Sequence, residues 1–331
     1  MFDRRTVLSL ICGSIVSVGG CLGTNRIVWR RDIGKASGIT VSDGVAYLGV
    51  DTGVQALDIE SGELRWEHTD TTREIRRPVV GTDRVYVTES SPPRLAALSD
   101  GDQKWEYRER EGIFSRPAVS GKTVYLTRLG VLYALDSTDG SVQARVQFGG
   151  DGSPTPVVTD RRIYVVGGDD DTLIAFDRST YRRVWTHPVT DRQVCVGENR
   201  VFVPSKSHGL AALDPADGTV RWESGVFLSG PPRLTSGTIY GHTTGGRTVS
   251  YTTDGTERWT VVTGRHHGPL EPGSDAVYIV RREPPQLYAV EAASGDQDWR
   301  LDLSEPPTHR PTNTEKYVLV PTTEGVIAVR K

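Results

Sequence analysis

Cysteine is scarce in this sequence. Of its three cysteines, Cys12 and Cys21 lie in the N-terminal segment, which leaves Cys195 without a partner in a processed chain. Exported proteins usually use cysteines in pairs, so the sequence predicts no disulfide framework. We expect Cys195 to fill the core of a strand as a small hydrophobic residue.

Long apolar runs and an excess of one charge are also missing. The apolar stretch Val7 to Val18, about 12 residues, is shorter than the ~20 residues of a membrane-spanning helix. The net charge of −3 gives no indication of a nucleic-acid partner. One Met and six Phe against 36 Gly and 19 Pro predict many turns and little helix. The sequence contains no Gly-x-Ser-x-Gly, Walker or His-Glu-x-x-His motif.

The N-terminal segment indicates export and lipidation. Arg4-Arg5 precede the apolar stretch, which ends in Val18-Gly19-Gly20-Cys21. This arrangement resembles a prokaryotic lipoprotein signal peptide, residues 1–20, with a lipobox ending at the lipidated Cys21. The paired arginines suit a twin-arginine signal as well as a Sec signal, and an uncleaved anchor or buried helix is the alternative. A diacylglyceryl group supplies two acyl chains, which suffice for stable anchoring.

Residues 24–331 repeat one unit. The stretch GVQALDIESGELRWE (53–67) has related copies at 95–106, 131–146, 173–186, 209–223, 248–260 and 286–300. A second half-unit precedes each copy, as in RPVVGTDRVYVT (77–88). Both halves alternate apolar and polar residues around turn signals, which predicts two hairpins per period of about 39 residues. Four strands per ~40 residues are typical of a β-propeller blade.

The two ends of the chain complete each other. The last period stops before its Trp strand, whereas NRIVWRRDI (25–33) is a Trp strand that lacks the three strands before it. We therefore predict an all-β fold with one domain, residues 24–331. It is an eight-bladed β-propeller of four-stranded antiparallel blades, closed by pairing the N-terminal strand with the C-terminal blade.

The repeated residues have structural explanations. We expect an Asp to accept turn amides in four units, at Asp58, Asp136, Asp177 and Asp214. We expect a glycine with positive φ four residues before the Trp position, at Gly62, Gly101, Gly140, Gly218, Gly255 and Gly295. We expect each Trp to wedge between adjacent blades, with its indole N–H bonded to a neighbouring carbonyl, at Trp29, Trp66, Trp105, Trp185, Trp222, Trp259 and Trp299. Ala144 occupies the one Trp position without a Trp.

The pattern A-x-D-x-x-[ST/AD]-G-x-x-x-W resembles the propeller repeat of the pyrroloquinoline quinone (PQQ) dehydrogenases. It also resembles the repeat of the non-enzymatic, BamB-like barrel-assembly lipoproteins of the outer membrane. The resemblance covers residues 24–331. The dehydrogenases hold their cofactor with adjacent cysteines and bind calcium beside a catalytic aspartate, and this sequence has neither arrangement. The resemblance therefore implies a propeller without catalytic residues, cofactor or metal site.

Arginines precede several of the predicted innermost strands. They are Arg77, Arg116, Arg192 and Arg310, and three of them are followed by proline. These connections should lie at the mouth of the central channel, where guanidinium groups would bind a carboxylate, a phosphate or an acidic loop of a partner. The alternative is that they pair with acidic side chains of neighbouring loops, such as Asp169 to Asp171.

These features predict a lipid-anchored, extracytoplasmic, monomeric propeller that serves as a non-catalytic protein-interaction scaffold or binding module. Its partners would be the membrane, through the anchor, and proteins of the cell envelope, with no nucleic acid. The alternative is a small-ligand or anion receptor, or an enzyme, that uses the central funnel. A bacterial periplasm and an archaeal cell surface both suit these features.

Overall fold

A computed structural model describes residues 26–69, 75–90, 92–168, 171–190, 194–205, 209–264 and 267–331. These residues form eight four-stranded antiparallel sheets, which are the blades of a propeller. Within them, no helix is long and apolar enough to cross a membrane. Cys21 and residues 1–20 lie outside the described residues, so lipidation at Cys21 stays a prediction.

The chain begins with β1 (Ile27–Asp32), which belongs to the last blade, and then forms the other blades in order. Blade 1 contains β2 (Ile39–Ser42), β3 (Val45–Val50), β4 (Gly53–Asp58) and β5 (Leu64–His68). Blade 2 contains β6 (Val79–Val80), β7 (Val85–Ser90), β8 (Pro93–Ser99) and β9 (Asp102–Arg108). Blade 3 contains β10 (Ala118–Ser120), β11 (Thr123–Arg128), β12 (Val131–Asp136) and β13 (Val142–Gln147). Blade 4 contains β14 (Val157–Val158), β15 (Arg162–Gly167), β16 (Thr172–Asp177) and β17 (Arg183–Pro188).

The second half of the ring has the same construction. Blade 5 contains β18 (Cys195–Val196), β19 (Val201–Ser205), β20 (Gly209–Leu213) and β21 (Val220–Glu223). Blade 6 contains β22 (Arg233–Thr235), β23 (Thr238–His242), β24 (Arg247–Thr252) and β25 (Glu257–Val262). Blade 7 contains β26 (His267–Pro272), β27 (Ala276–Arg281), β28 (Gln286–Glu291) and β29 (Gln297–Asp302). Blade 8 contains β30 (Thr312–Asn313), β31 (Tyr317–Pro321), β32 (Gly325–Arg330) and β1.

The first strand of each blade lines the central channel. Apart from β26 these first strands have at most four residues, and they contact one another around the ring, as β2 does with both β6 and β30. The middle strands are buried on both faces because adjacent blades pack face to face. Tyr86 and Leu95 of blade 2, for example, share one apolar cluster with Val124 and Leu126 of blade 3.

Blade 8 closes the ring as the sequence predicts. Strand β1 pairs antiparallel with β32, with Trp29 opposite Ala328. Blade 8 also contacts blade 1: the hydroxyl group of Thr312 in blade 8 donates to the carbonyl oxygen of Ile39 in blade 1 at 2.9 Å. The Lys316 ammonium lies 2.9 Å from a carboxylate oxygen of Glu60. The predicted eight-bladed fold and its closure are therefore confirmed.

The turn chemistry predicted from the repeat is also confirmed. The Asp58 carboxylate accepts the amides of Glu60 and Ser61 at 2.9 and 3.0 Å. A hydrogen bond from Arg65, followed by the turn amides, lowers the pKa of Asp58 to about 2. Asp177 accepts both equivalent amides, whereas Asp136 and Asp214 each accept the first of them. The predicted glycines all have positive φ, between +73° and +94°, at Gly62, Gly101, Gly140, Gly218, Gly255 and Gly295.

Most of the tryptophans lie against the turn of the following blade. The indole N–H of Trp29 donates to the carbonyl oxygen of Ile59 at 3.0 Å, and the ring covers Gly62. A Cβ at Gly62 would lie 2.7 Å from this ring, so glycine is needed there for space as well as for its φ. The equivalent indole bonds join Trp105 to Ser137, Trp185 to Pro215, Trp222 to Thr253 and Trp259 to Ala292.

At the one unit without a tryptophan, both residues of this contact differ from those in the other blades. Blade 3 has Ala144 at the Trp position, and the following turn has Tyr181 where the others have glycine. Tyr181 keeps the turn conformation, with φ of +56°, and its side chain packs in the same apolar cluster as Ala144. Here the small residue is in blade 3 and the large aromatic residue is in the turn of blade 4, the reverse of the other contacts.

Two tryptophans are held differently. Trp66 is half-buried, and a Cβ at Gly101 would be 3.4 Å from its ring, a looser fit than at Gly62. Trp299 faces blade 8, in which no hairpin turn joins β32 to β1. The guanidinium of Arg26 lies over the Trp299 ring instead, 4.5 Å from its centroid.

The contact can be tested with two glycines of blade 1 that share the same φ. Gly44 and Gly62 both have φ of +73°, but a Cβ at Gly44 would have nothing within 4 Å. Gly44→Ala should therefore lower the free energy of unfolding by only about 1 kcal/mol, the cost of holding an alanine in the left-handed backbone conformation. Gly62→Ala should lower the free energy of unfolding by a further ~1–3 kcal/mol, because the added methyl group overlaps the Trp29 ring. Urea titration of both variants measures the difference, and equal losses would contradict the wedge.

Candidate functional site

The channel mouth is set by the direction of the strands. Because the strands alternate, each fourth-to-first connection and each hairpin between second and third strands reach the same face of the ring, which we call the entry face. Arg77, Arg116 and Arg310 each lie two residues before an innermost strand on this face. In blade 1 the equivalent position by strand register is Gly38, because Thr40 pairs with Tyr47 as Val79 of blade 2 pairs with Tyr86.

Arg77 is held against blade 1. A Cβ at Gly38 would lie 3.3 Å from the Arg77 side chain, so Gly38 leaves the space through which this side chain passes. The Nε–H group of Arg77 donates to the hydroxyl oxygen of Thr40 at 3.1 Å. Thr40 in turn donates to the carbonyl oxygen of Pro78 at 2.6 Å. These contacts orient Arg77 across the inner strands.

Two more charged residues lie on the innermost strands themselves. Arg233 is the first residue of β22, opposite Tyr240, and Glu271 is on β26, opposite Tyr278. The two occupy equivalent positions in neighbouring blades. The Glu271 carboxylate lies 3.1 Å from Nε of Arg310, and both side chains are more than four-fifths buried.

The arginines lower one another's pKa. Burial first, then the charges of Arg310 and Arg116, lowers the pKa of Arg77 to about 9. Burial, and then the charge of Arg310, lowers the pKa of Arg233 to about 10. The pKa of Arg116 is lowered by burial and by Arg310. Each group still carries its charge at neutral pH, so the cluster concentrates positive potential in the channel.

One donor of this cluster is unused within the described part of the chain. The Nε–H group of Arg116 is buried and has no hydrogen-bond partner there. A buried donor left without an acceptor costs about 1–3 kcal/mol. The arrangement is chemically suited to accept an anion, since guanidinium groups bind oxyanions through several parallel hydrogen bonds.

Sequence reasoning located part of this cluster. Arg77, Arg116 and Arg310 come together in the channel, whereas Arg192 lies outside the described residues. Arg233 and Glu271 were missed, and the signal that could have found them is an Arg or Glu within an innermost strand, since the innermost strands of the other blades contain neither. Glu271 supplies one of the acidic partners that the alternative interpretation expected from Asp169 to Asp171.

The remaining chemical candidates are modest. Cys195 is half-buried on β18, at the edge of an apolar cluster, and burial raises the pKa of its thiol. Within the described ranges, no group of three or more His, Cys, Asp or Glu side chains could hold a metal ion.

The entry face also exposes large apolar side chains. Phe227 precedes β22 and is 49% exposed, and Val262 ends β25 and is 80% exposed. They flank the β23–β24 turn, because the amide of Thr244 donates to the carbonyl oxygen of Phe227 and the amide of Thr263 donates to that of Gly246. We call Phe227 and Val262 the blade 6 patch.

Glu271 should stabilise the protein by offsetting the arginine charges. Glu271→Gln should cost about 3 kcal/mol, because loss of one partner of a largely buried ion pair leaves the Arg310 charge uncompensated. Added NaCl should recover part of the loss by screening the remaining repulsion. Thermal melts at low and high salt measure both effects. Glu60→Gln, which breaks the exposed pair with Lys316, is the control and should lower Tm much less. A Glu271→Gln variant as stable as the wild type at low salt would contradict the electrostatics.

Solved structures share the fold at low sequence identity. The crystal structure of BamB from Moraxella catarrhalis matches 88% of this chain and 95% of its own, with a TM-score of 0.71 and 17% identity. The computationally designed Ika8 protein matches 90% and 97%, with a TM-score of 0.77 and 12% identity. The quinohemoprotein alcohol dehydrogenase of Comamonas testosteroni matches 90% and 75%, with a TM-score of 0.68 and 13% identity.

A family model accounts for the whole propeller. A comparison with curated protein sequences finds no match. The family described as outer membrane protein assembly factor BamB matches residues 18–115, 109–249, 187–271 and 246–330, which together span all eight blades. The chain therefore belongs to this BamB family of PQQ-like β-propellers.

Proposed function

We propose that the chain is a lipid-anchored, extracytoplasmic propeller that acts as a non-catalytic scaffold for proteins of the cell envelope. The observation that carries the proposal is the family match, which runs through the complete ring rather than through single repeats. The family description names an assembly factor for outer membrane proteins, and a factor that assembles other proteins has to contact them. Short blades of four strands leave the loops of the entry face as the variable surface on which such contact depends.

The proposal that the chain is not an enzyme rests on its sequence. The propeller enzymes that it resembles hold a quinone with adjacent cysteines, and beyond the N-terminal segment this chain has only Cys195. A shared fold does not carry a shared reaction, since the residues common to the repeats are turn and packing residues.

The blade 6 patch is the surface that we propose for a protein partner. Phe227 and Val262 lie on either side of the β23–β24 turn, and exposed large apolar side chains grouped on one face often mark protein interfaces. Phe227 and Val262 share the entry face with the channel mouth, so a partner that docks there would cover both. An envelope partner on this face would leave the outer edges of the blades free.

A pull-down tests the scaffold. The tagged full chain is cross-linked in cells and recovered from solubilised membranes. We expect protein partners in stoichiometric amounts, lost from the Phe227→Ser/Val262→Ser variant because truncation removes the apolar contact. Val184→Ser/Val220→Ser is the matched control, since both valines are 43% exposed but lie within the first two residues of outer strands, at the opposite face. Recovery of a small molecule or calcium without a stoichiometric protein would favour the receptor instead.

The anchor is tested by fractionation. Cys21→Ser should move the protein from the membrane fraction to the soluble fraction, because the two acyl chains provide the attachment. Cys195→Ser, which changes a cysteine within the propeller, should stay with the membrane. A Cys21→Ser protein that remains membrane-bound would contradict lipid anchoring.

A further inference from the structure

We propose that the central channel binds a small, multiply charged oxyanion of the phosphate class between Arg77, Arg116, Arg233 and Arg310. This site is separate from the blade 6 patch, and the inference does not depend on the proposed scaffold. It assigns a ligand chemistry to residues that the repeat does not require.

The charge balance of the channel favours an anion. Among the described residues, four arginines from blades 2, 3, 6 and 8 interact in the channel, and Glu271 of blade 7 is the carboxylate that faces them. Blades 2 and 6 are opposite each other in an eight-bladed ring, so Arg77 and Arg233 approach from opposite sides. Positive charges gathered in this way without sufficient counter-charge are costly, and a bound anion of charge −2 offsets most of the excess.

The donor geometry agrees with this balance. Arg77 uses its Nε–H group to bond Thr40, which orients the guanidinium at the end of the side chain. The buried Nε–H group of Arg116 has no acceptor among the described residues. Arg310 is positioned by Glu271 rather than neutralised by several acids. Planar guanidinium groups fixed from different directions match the several oxygens of a tetrahedral anion.

The depth of the cluster favours a small ion over a peptide. Arg77, Arg116 and Arg310 lie two residues before the innermost strands, and Arg233 and Glu271 lie two residues further in. Two residues of a strand extend about 6–7 Å. The side chains of Arg310 and Glu271 are only 18% and 17% exposed. A compact ion reaches groups at this depth, whereas an acidic loop would have to enter with its backbone.

Calorimetric titration with inorganic phosphate tests the site on the full-length protein in detergent, with NaCl adjusted to hold the ionic strength constant. We expect saturable binding at one site per chain. Arg77→Gln and Arg116→Gln should each weaken it about tenfold or more, because each removes a charge-assisted hydrogen bond. Arg76→Gln is the matched control: Arg76 adjoins Arg77 and loses the same charge, but its side chain is exposed. It should change the affinity by less than about twofold, since a solvated charge is screened.

Glu271→Gln separates binding from folding. Loss of this carboxylate should tighten phosphate binding several-fold, because the anion no longer shares the arginines with it, although the same variant is less stable without phosphate. Weaker binding in Glu271→Gln, equal effects of Arg76→Gln and Arg77→Gln, or no binding by the wild type would each overturn the proposal. If the protein does not bind phosphate but binds an acidic peptide through Arg77, the proposal is wrong and the channel is a peptide site.

Discussion

The fold depends on one contact between neighbouring blades, the tryptophan ring that lies on the turn of the next blade. At Trp29 this contact combines a hydrogen bond to the Ile59 carbonyl with a ring that fills the space left by Gly62. The same glycine allows the left-handed backbone that closes the turn. One residue therefore satisfies a local and a long-range requirement, and repetition of this pair sets the spacing and angle between blades.

This contact at the periphery determines what happens at the centre. Because the blades repeat in register, their innermost strands begin at equivalent depths, and any residue that departs from the repeat there faces the channel. Gly38, Arg77 and Arg116 occupy the same position in three successive blades, yet only the arginines bring charge. Packing residues hold the ring together, while the residues that vary between blades give the channel its positive potential.

The sequence was sufficient for the architecture because the repeat expresses local physics. Turn aspartates, positive-φ glycines and alternating strands each act within one unit, so eight blades and their closure followed from counting. The cluster in the channel was only partly predictable, because Arg233 meets Arg77 across the ring, from a blade far apart in sequence. Glu271 pairs with Arg310 of the next blade, which the repeat pattern does not indicate. The exchange of Trp and Gly for Ala144 and Tyr181 was missed because each residue alone is an exception to the repeat, and only the structure shows that the two pack together.

That exchange also supplies the sharpest test of the interblade contact. A double-mutant cycle with Ala144→Trp and Tyr181→Gly converts this contact to the form found at Trp29 and Gly62. Each single variant should be destabilised, Ala144→Trp by overpacking against Tyr181 and Tyr181→Gly by a cavity. The double variant should recover stability towards that of the wild type, with a coupling free energy of at least about 1 kcal/mol. Additive losses in the double variant would contradict the claim that wedge and turn residue are fitted to each other.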